Sequence, residues 1–245
     1  MKLVHAIGAV VAAGVVAAAC GSSGGGASSN GIANDSATQI LTTAVNALKS
    51  ASSVSVSGTK ITNGKPTTLN GSFFANGDAD ASVTLNGSPV HLVKVGSNDY
   101  INAPSSYWAA SGVPSVDLAA VSNVWVKIPD SVIHAGSQLS LAGLASHLDK
   151  NLGTLSKGSS SNVDGEAVIA VISSTQGTLY VATAGTPYPV EVVGKPGSAN
   201  GGTLNFSHWN TATPPTVPAG AKTIGQLGLG GAGASGATGP TGAPS

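Results

Sequence analysis

The spacing of apolar residues changes once near the start of the chain, and this change constrains the fold more than any other feature. Within residues 36–50, Ile40, Ala44 and Leu48 are four positions apart, which predicts an amphipathic helix. From Val54 onward apolar and polar residues alternate, and turn residues recur every eight to twelve positions. This second pattern predicts an antiparallel meander of short strands.

The sequence predicts two sets of strands separated by an insertion and a second helix. The insertion contains Tyr107, Trp108 and Trp125, and the helix spans residues 138–152, where four leucines form one apolar stripe. The first set of strands is predicted at residues 53–62, 67–75, 81–85, 89–95 and 99–103. The second set is predicted at residues 166–173, 178–183, 188–193 and 202–209.

One predicted strand places the helices relative to the sheet. The run from Ala167 to Ile172 is apolar on both of its faces. Such a strand must be covered on each side, so helices are expected to pack on one face of the sheet. The expected fold class is therefore α+β, with an antiparallel sheet and helices on one side of it.

The first twenty residues predict export from the cytoplasm. Lys2 precedes an apolar stretch at residues 3–16, and three alanines at residues 17–19 lead to Cys20. This is the pattern of a signal peptide with a lipobox-like end, in which the cysteine thiol carries a diacylglycerol. The Gly/Ser-rich residues that follow are expected to form a flexible tether. Cys20 is thus predicted to anchor the protein to the outer face of the plasma membrane.

Three other interpretations of this segment stay open. Residues 17–19 also fit the A-x-A site of the ordinary signal peptidase, which would release the protein, and the usual lipobox has Leu where Ala17 stands. The apolar stretch could remain as an anchor, although it is at the short limit for spanning a bilayer. Cys20, the single cysteine of the chain, could also stand at this boundary by chance.

Charge and cysteine usage exclude several classes of protein. Only 8% of the residues are charged, the ten lysines are balanced by ten acids, and the chain contains no arginine. Phosphate binding needs clustered basic residues, so nucleic acid is excluded as a partner, as is polybasic attachment to a membrane. The domain after Cys20 contains no further cysteine, so its stability must come from packing rather than disulfides.

No motif in the sequence supports catalysis. Residues 21–25 match G-x-S-x-G and residues 228–233 match G-x-G-x-x-G, but neither lies in the required strand and helix context. The five histidines are scattered without metal-ligand spacing, and the three tryptophans are interpreted as core residues more readily than as a ligand site. The chain is therefore predicted to be neither an enzyme nor a metal or cofactor protein.

Several short strings resemble one family of envelope proteins. They include His91–Gly96 running into Tyr100–Ala103, Asn123–Pro129, Gly177–Thr183 and Phe206–Asn210. Together with the order of helices and strands over residues 35–218, they resemble the mycobacterial LppX/LprA/LprF/LprG lipoproteins, which are LolA-like in fold. The resemblance implies a curved antiparallel sheet, a half-barrel, whose concave face is closed by helices around an apolar cavity for acyl chains. It also implies an envelope of the actinobacterial type.

The resemblance suggests which residues would line such a cavity. They are inward-facing apolar residues of the second helix and the late strands, namely Leu141, Leu144, Leu148, Val168, Leu179, Val181, Val190, Val192, Leu204 and Phe206. The expected function is binding or carriage of lipids or lipoglycans without catalysis. The alternative is a structural or protein-interaction lipoprotein with a filled core, docking an unknown envelope protein. A cavity above roughly 300 Å³ would distinguish the two.

The predicted domain organisation follows from these segments. Residues 1–19 form the signal peptide, 20–34 the lipidated cysteine and tether, and 35–218 the lipid-binding domain. Residues 219–245 are rich in Gly, Ala and Pro and are predicted to be a disordered tail, because such a composition cannot bury enough apolar surface to fold.

Overall fold

The computed structural model describes residues 28–62, 65–85, 87–129, 140–195, 197 and 201–229. Cys20 and the predicted signal peptide lie outside these residues. The helices are α1 (Ala37–Ser50), α2 (Ser105–Ala110), α3 (Leu118–Val121) and α4 (Leu141–Leu148). The strands are β1 (Ser53–Thr62), β2 (Lys65–Phe74), β3 (Ala79–Leu85), β4 (Ser88–Val95), β5 (Asn98–Asn102), β6 (Val126–Pro129), β7 (Leu155–Val163), β8 (Glu166–Ser173), β9 (Gly177–Ala182), β10 (Pro189–Gly194), β11 (Gly202–Ser207) and β12 (Lys222–Thr223).

The described strands form one open sheet made of two meanders. Its strand order is β12-β6-β5-β4-β3-β2-β1-β11-β10-β9-β8-β7. All neighbours are antiparallel except β12 and β6, which are parallel. The meander β1 to β6 joins the meander β7 to β11 where the first strand of one pairs with the last strand of the other. The predicted α+β class with a curved antiparallel sheet is confirmed.

Helix α1 begins where its sequence contains a capping box. The Ser36 hydroxyl accepts a hydrogen bond from the Gln39 backbone N–H, and the Gln39 side chain accepts one from the Ser36 backbone N–H. Two N–H groups that the helix cannot satisfy internally are paired in this way. Ile40, Ala44 and Leu48 are fully buried, so the predicted apolar stripe is the face that packs on the sheet.

The helices cover a single face of the sheet. The first core cluster joins α1 and α4 to residues of β1, β2, β3, β8, β9 and β11, among them Ala81. The second cluster joins α2 and α3 to β4, β5 and β6 and contains Leu92. Ala81 and Leu92 are cross-strand partners, so both clusters lie on the same face.

The apolar run in β8 is buried on both faces, as its sequence predicts. Ile169 and Val171 belong to the first cluster, beneath the helices. Val168 packs on the opposite face in a third cluster with Ala182 and Val190. A break in register between Pro189 and Glu191 places Val190 on that outer face.

Both predicted boundaries of the domain differ from the structure. In the predicted tether, Asn30 donates its backbone N–H to Thr183 O at 2.9 Å, and Ile32 is buried. In the predicted tail, β12 pairs with β6, and Ile224, Leu227 and Leu229 pack against the second cluster. The composition of both segments did not indicate that they pack on the domain, because a few apolar residues are enough to hold a chain against an existing core. Residues 230–245 lie outside the described part.

The sequence did not predict three of the strands. β7 is mostly exposed and polar, so it has no apolar alternation, and it forms the edge of the sheet. β6 has four residues and β12 has two, which is too short for a periodic pattern. Helix α4 is shorter than the predicted residues 138–152, and residues 138–139 lie outside the described part.

Candidate ligand cavity

A cavity of about 430 Å³ lies between α4 and the strands of the second meander. Its inner end is formed by buried residues such as Val171, Leu179 and Phe206. The further apolar residues that line it come from both helices and from the strands: Leu41, Leu144, Leu148, Leu152, Leu155, Val192 and Leu204. The volume lies within the range of roughly 300–1,000 Å³ that is usual for sites of small molecules.

The structure brings six of the ten predicted cavity residues together. Leu144, Leu148, Leu179, Val192, Leu204 and Phe206 line the cavity. Leu141 and Val181 lie on the same face of the sheet but are buried within the filled part of the first cluster. Val168 and Val190 are on the opposite face, so their assignment to the cavity is wrong. For Val168, the sequence does not show which face of β8 is inward, because both faces are apolar. For Val190, the bulge in β10 turns the side chain to the opposite face of the sheet.

The mouth of the cavity is polar and carries basic side chains. Lys60 of β1, His147 of α4 and Lys150 after α4 line it and are exposed. Burial, followed by the positive charges of Lys60 and Lys150, lowers the pKa of His147 from its ordinary value. Both lysines are therefore close enough to His147 for their positive charges to act on its imidazole. None of the described residues that line the cavity is an aspartate or glutamate.

Hydrogen bonds fix the segment that carries Lys150 against the turn between β8 and β9. The Ser173 hydroxyl donates to Leu152 O at 2.5 Å, and the Thr154 backbone N–H donates to the Ser174 hydroxyl at 3.0 Å. The Thr175 hydroxyl also donates to Asn151 O. Ser and Thr side chains thus bind the backbone of the loop directly. This contact has no local sequence signal, because its partners are twenty or more residues apart.

A second cavity, of about 320 Å³, lies near His91 and is lined by both polar and apolar residues. The His91 imidazole lies 2.6 Å from the Asp80 carboxylate, and its ring makes an edge contact with Trp125 at 4.9 Å between ring centroids. No group of three or more metal-ligating side chains occurs within the described residues.

Two of the three tryptophans, Trp108 and Trp209, pack in or against the core clusters. Trp108 is buried in the second cluster and donates its indole N–H to Ala103 O at 3.2 Å. Trp209 stacks on Tyr188 with ring centroids 4.1 Å apart and packs against the first cluster. None of the three lines the 430 Å³ cavity. The aromatic area of Trp108 and Trp209 therefore contributes to packing.

The fold, rather than the sequence, relates this chain to known proteins. No protein-family model matches the sequence, and no curated protein matches it. The crystal structure of LprF from Mycobacterium bovis superposes with a TM-score of 0.50 at 16% identity, covering 76% of this chain and 97% of that one. This chain has the fold of LprF.

A second solved structure is similar to a lesser degree. The lipoprotein LppX of Mycobacterium tuberculosis gives a TM-score of 0.48 at 15% identity, with 72% of this chain and 96% of that one covered. The LprF match confirms, for the fold alone, the resemblance inferred from the short strings. In the described residues no helix is both long enough and apolar enough to cross a membrane.

Proposed function

We propose that this chain is an exported, membrane-anchored envelope protein that binds or carries lipids or lipoglycans by their acyl chains, without catalysis. The observation that supports the proposal is the apolar cavity of about 430 Å³ beneath α4. An ordinary filled core would leave no such volume, because protein interiors are close-packed. The fold of LprF agrees with this assignment at the level of architecture.

The binding chemistry requires only apolar surface. Each methylene that leaves water for the cavity contributes about 0.8 kcal/mol. A lipid that leaves a bilayer exchanges one apolar environment for another, so its net gain is smaller and its binding is reversible. Reversible loading from a membrane is what a carrier needs, and a tether at Cys20 would keep the cavity near the bilayer.

Native mass spectrometry of the mature chain, residues 20–245, purified from a host with a related envelope, tests the proposal. Stoichiometric acylated ligand is the expected result. The chain should not be cut at residue 218, because Ile224, Leu227 and Leu229 pack against the second cluster. A protein that is free of ligand and also refuses added lipids would favour the protein-interaction alternative.

Filling the cavity should abolish acyl-chain binding. Val192→Trp places an indole among the lining residues, where it takes space that the acyl chain would occupy. If two methylenes of the ligand are kept out of the cavity, the loss is about 1.6 kcal/mol, or more than tenfold in affinity. Titration with a fluorescent fatty acid measures the loss. Val193→Trp is the matched control, because Val193 lies next along β10 and does not line the cavity. Equal loss in both variants would contradict the assignment of the site.

Replacing Cys20 should release the protein from the membrane. In cells expressing the full precursor, Cys20→Ala is expected to move the protein from the membrane fraction to the medium, because no thiol remains for the diacylglycerol. Fractionation and intact mass of the mature protein measure both effects. Ser23→Ala, in the same Gly/Ser-rich stretch, should leave the protein in the membrane fraction. A wild-type protein that is unmodified and found in the medium would support ordinary signal cleavage instead.

A further inference from the structure

The distribution of charge around the cavity is one-sided although the chain as a whole is neutral. The ten lysines and ten acids of the sequence balance. At the mouth, however, two lysines and one histidine are present, and none of the described lining residues is acidic. A neutral protein that places only basic groups at the entrance of an apolar cavity has an entrance that favours anions.

The surrounding charges do not cancel this asymmetry. Asp149 is the nearest acid in sequence, but it is exposed and does not line the cavity. Glu191 is the cross-strand partner of Tyr180, on the face opposite the helices. Lys195 adds a positive charge near the mouth, where its ammonium donates to Ser174 O at 2.9 Å.

The lining also has a defined polarity from one end to the other. Phe206, Leu179 and Val171 at the inner end are at most 7% exposed. Lys60, His147 and Lys150 at the mouth are exposed. An acyl chain in the inner part therefore leaves its head group among the basic side chains. Neutral polar groups such as Asn151 and Gln176 supply further hydrogen-bonding capacity there.

We infer that the ligand is an acyl lipid with an anionic head group, a phosphate or a carboxylate, held at the mouth beside Lys60 and Lys150. This inference rests on the proposed function, since it names the class of lipid for the same cavity. The basic groups select among head groups, while the apolar lining supplies most of the affinity. Exposed charges act through water, so the selection is moderate and weakens with salt.

The test compares three probes on the mature chain at low salt. They are a monoacyl phosphatidylglycerol, a monoacylglycerol with the same acyl chain, and glycerol phosphate without an acyl chain. The expected result is about tenfold tighter binding of the anionic lipid than of the neutral one, equivalent to about 1.4 kcal/mol. Glycerol phosphate alone should bind far more weakly than either lipid.

Charge variants identify the groups responsible. Lys60→Gln with Lys150→Gln should weaken binding of the anionic lipid far more than binding of the monoacylglycerol, so that the ratio of the two affinities falls from about tenfold to about one. Lys49→Gln with Lys222→Gln changes the net charge equally at exposed positions outside the cavity and should keep the preference. NMR titration of His147 gives a second readout, because the anionic lipid should raise the pKa of its imidazole and the neutral lipid should not.

The possible results distinguish selection of an anionic head group from lipid binding itself. Equal binding of the two lipids would overturn the anionic head group and leave the lipid-binding function standing. Glycerol phosphate binding as tightly as the anionic lipid would also overturn the inference, because the mouth would then be an anion site without need of an acyl chain. Binding of neither lipid would overturn the proposed function, and the inference with it.

Discussion

Gly58→Ala is expected to destabilise the protein by about 2–6 kcal/mol, of which roughly 1–3 kcal/mol comes from backbone strain and roughly 1–3 kcal/mol from overpacking. Gly58 has a φ of 148°, which residues with a side chain rarely adopt. An added Cβ would lie 2.1 Å from Thr203 O of β11. Since small domains are stable by only about 5–15 kcal/mol, this loss would be a large share of the total stability.

The physical reason lies in how the two meanders meet. Gly202, across the same pairing, has a φ of 109°, and its added Cβ would lie 2.1 Å from Thr59 O. Each glycine thus makes room for a carbonyl of the facing strand, so β1 and β11 approach closely at the junction of the sheet. This junction also places Lys60 and Leu204 beside the same cavity.

Urea unfolding followed by tryptophan fluorescence measures the effect. Gly77→Ala is the matched control, because Gly77 has a φ of 87° but nothing lies within 4 Å of the added carbon. It should lose only the strain contribution. A Gly58→Ala variant no less stable than Gly77→Ala would show that the close approach of β1 and β11 is not required.

The second large effect is expected at a buried ion pair in the β4–β5 hairpin. The Lys94 ammonium lies 3.8 Å from the Asp99 carboxylate, and their side chains are 8% and 0% exposed. Lys94→Met leaves the carboxylate buried without this cation, so we expect a loss of about 3–5 kcal/mol in the free energy of unfolding. Asp99→Leu should lower the free energy of unfolding by a similar amount, because it leaves the buried ammonium without this carboxylate.

The double variant decides whether the two charges act as a pair. Lys94→Met with Asp99→Leu replaces both by apolar groups on the face of the sheet that holds Leu92 and Ile101, so much of the lost stability should return. Urea unfolding of all four proteins gives the coupling free energy, expected to be up to about 3 kcal/mol. Strictly additive losses would contradict the pairing.

Local patterns predicted most of the secondary structure. The capping box at Ser36 and the four-residue spacing through Leu48 predicted α1, and alternation with regular turns predicted nine strands near their observed bounds. These signals are local, because the helical and extended periods differ and caps act within one turn. Strands without alternation, such as the polar edge strand β7, left no such signal.

The cavity could be predicted only in part. The helical period defines one face of α4, and two leucines of that stripe, Leu144 and Leu148, line the cavity. Val168 was misplaced because both faces of β8 are apolar, and Val190 because a bulge shifts the register of β10. The sequence could not predict that Lys60 and Lys150 lie at the same cavity, since ninety residues of chain separate them.

The sequence by itself determined the order and type of the main elements and the apolar character of the helical faces, because these depend on neighbours a few residues away. The tertiary structure alone decided that β1 joins β11, that Lys94 and Asp99 are buried together, and that the basic mouth faces an apolar interior. Long-range pairing brings such residues together, and its energy comes from contacts between distant segments rather than from local propensity.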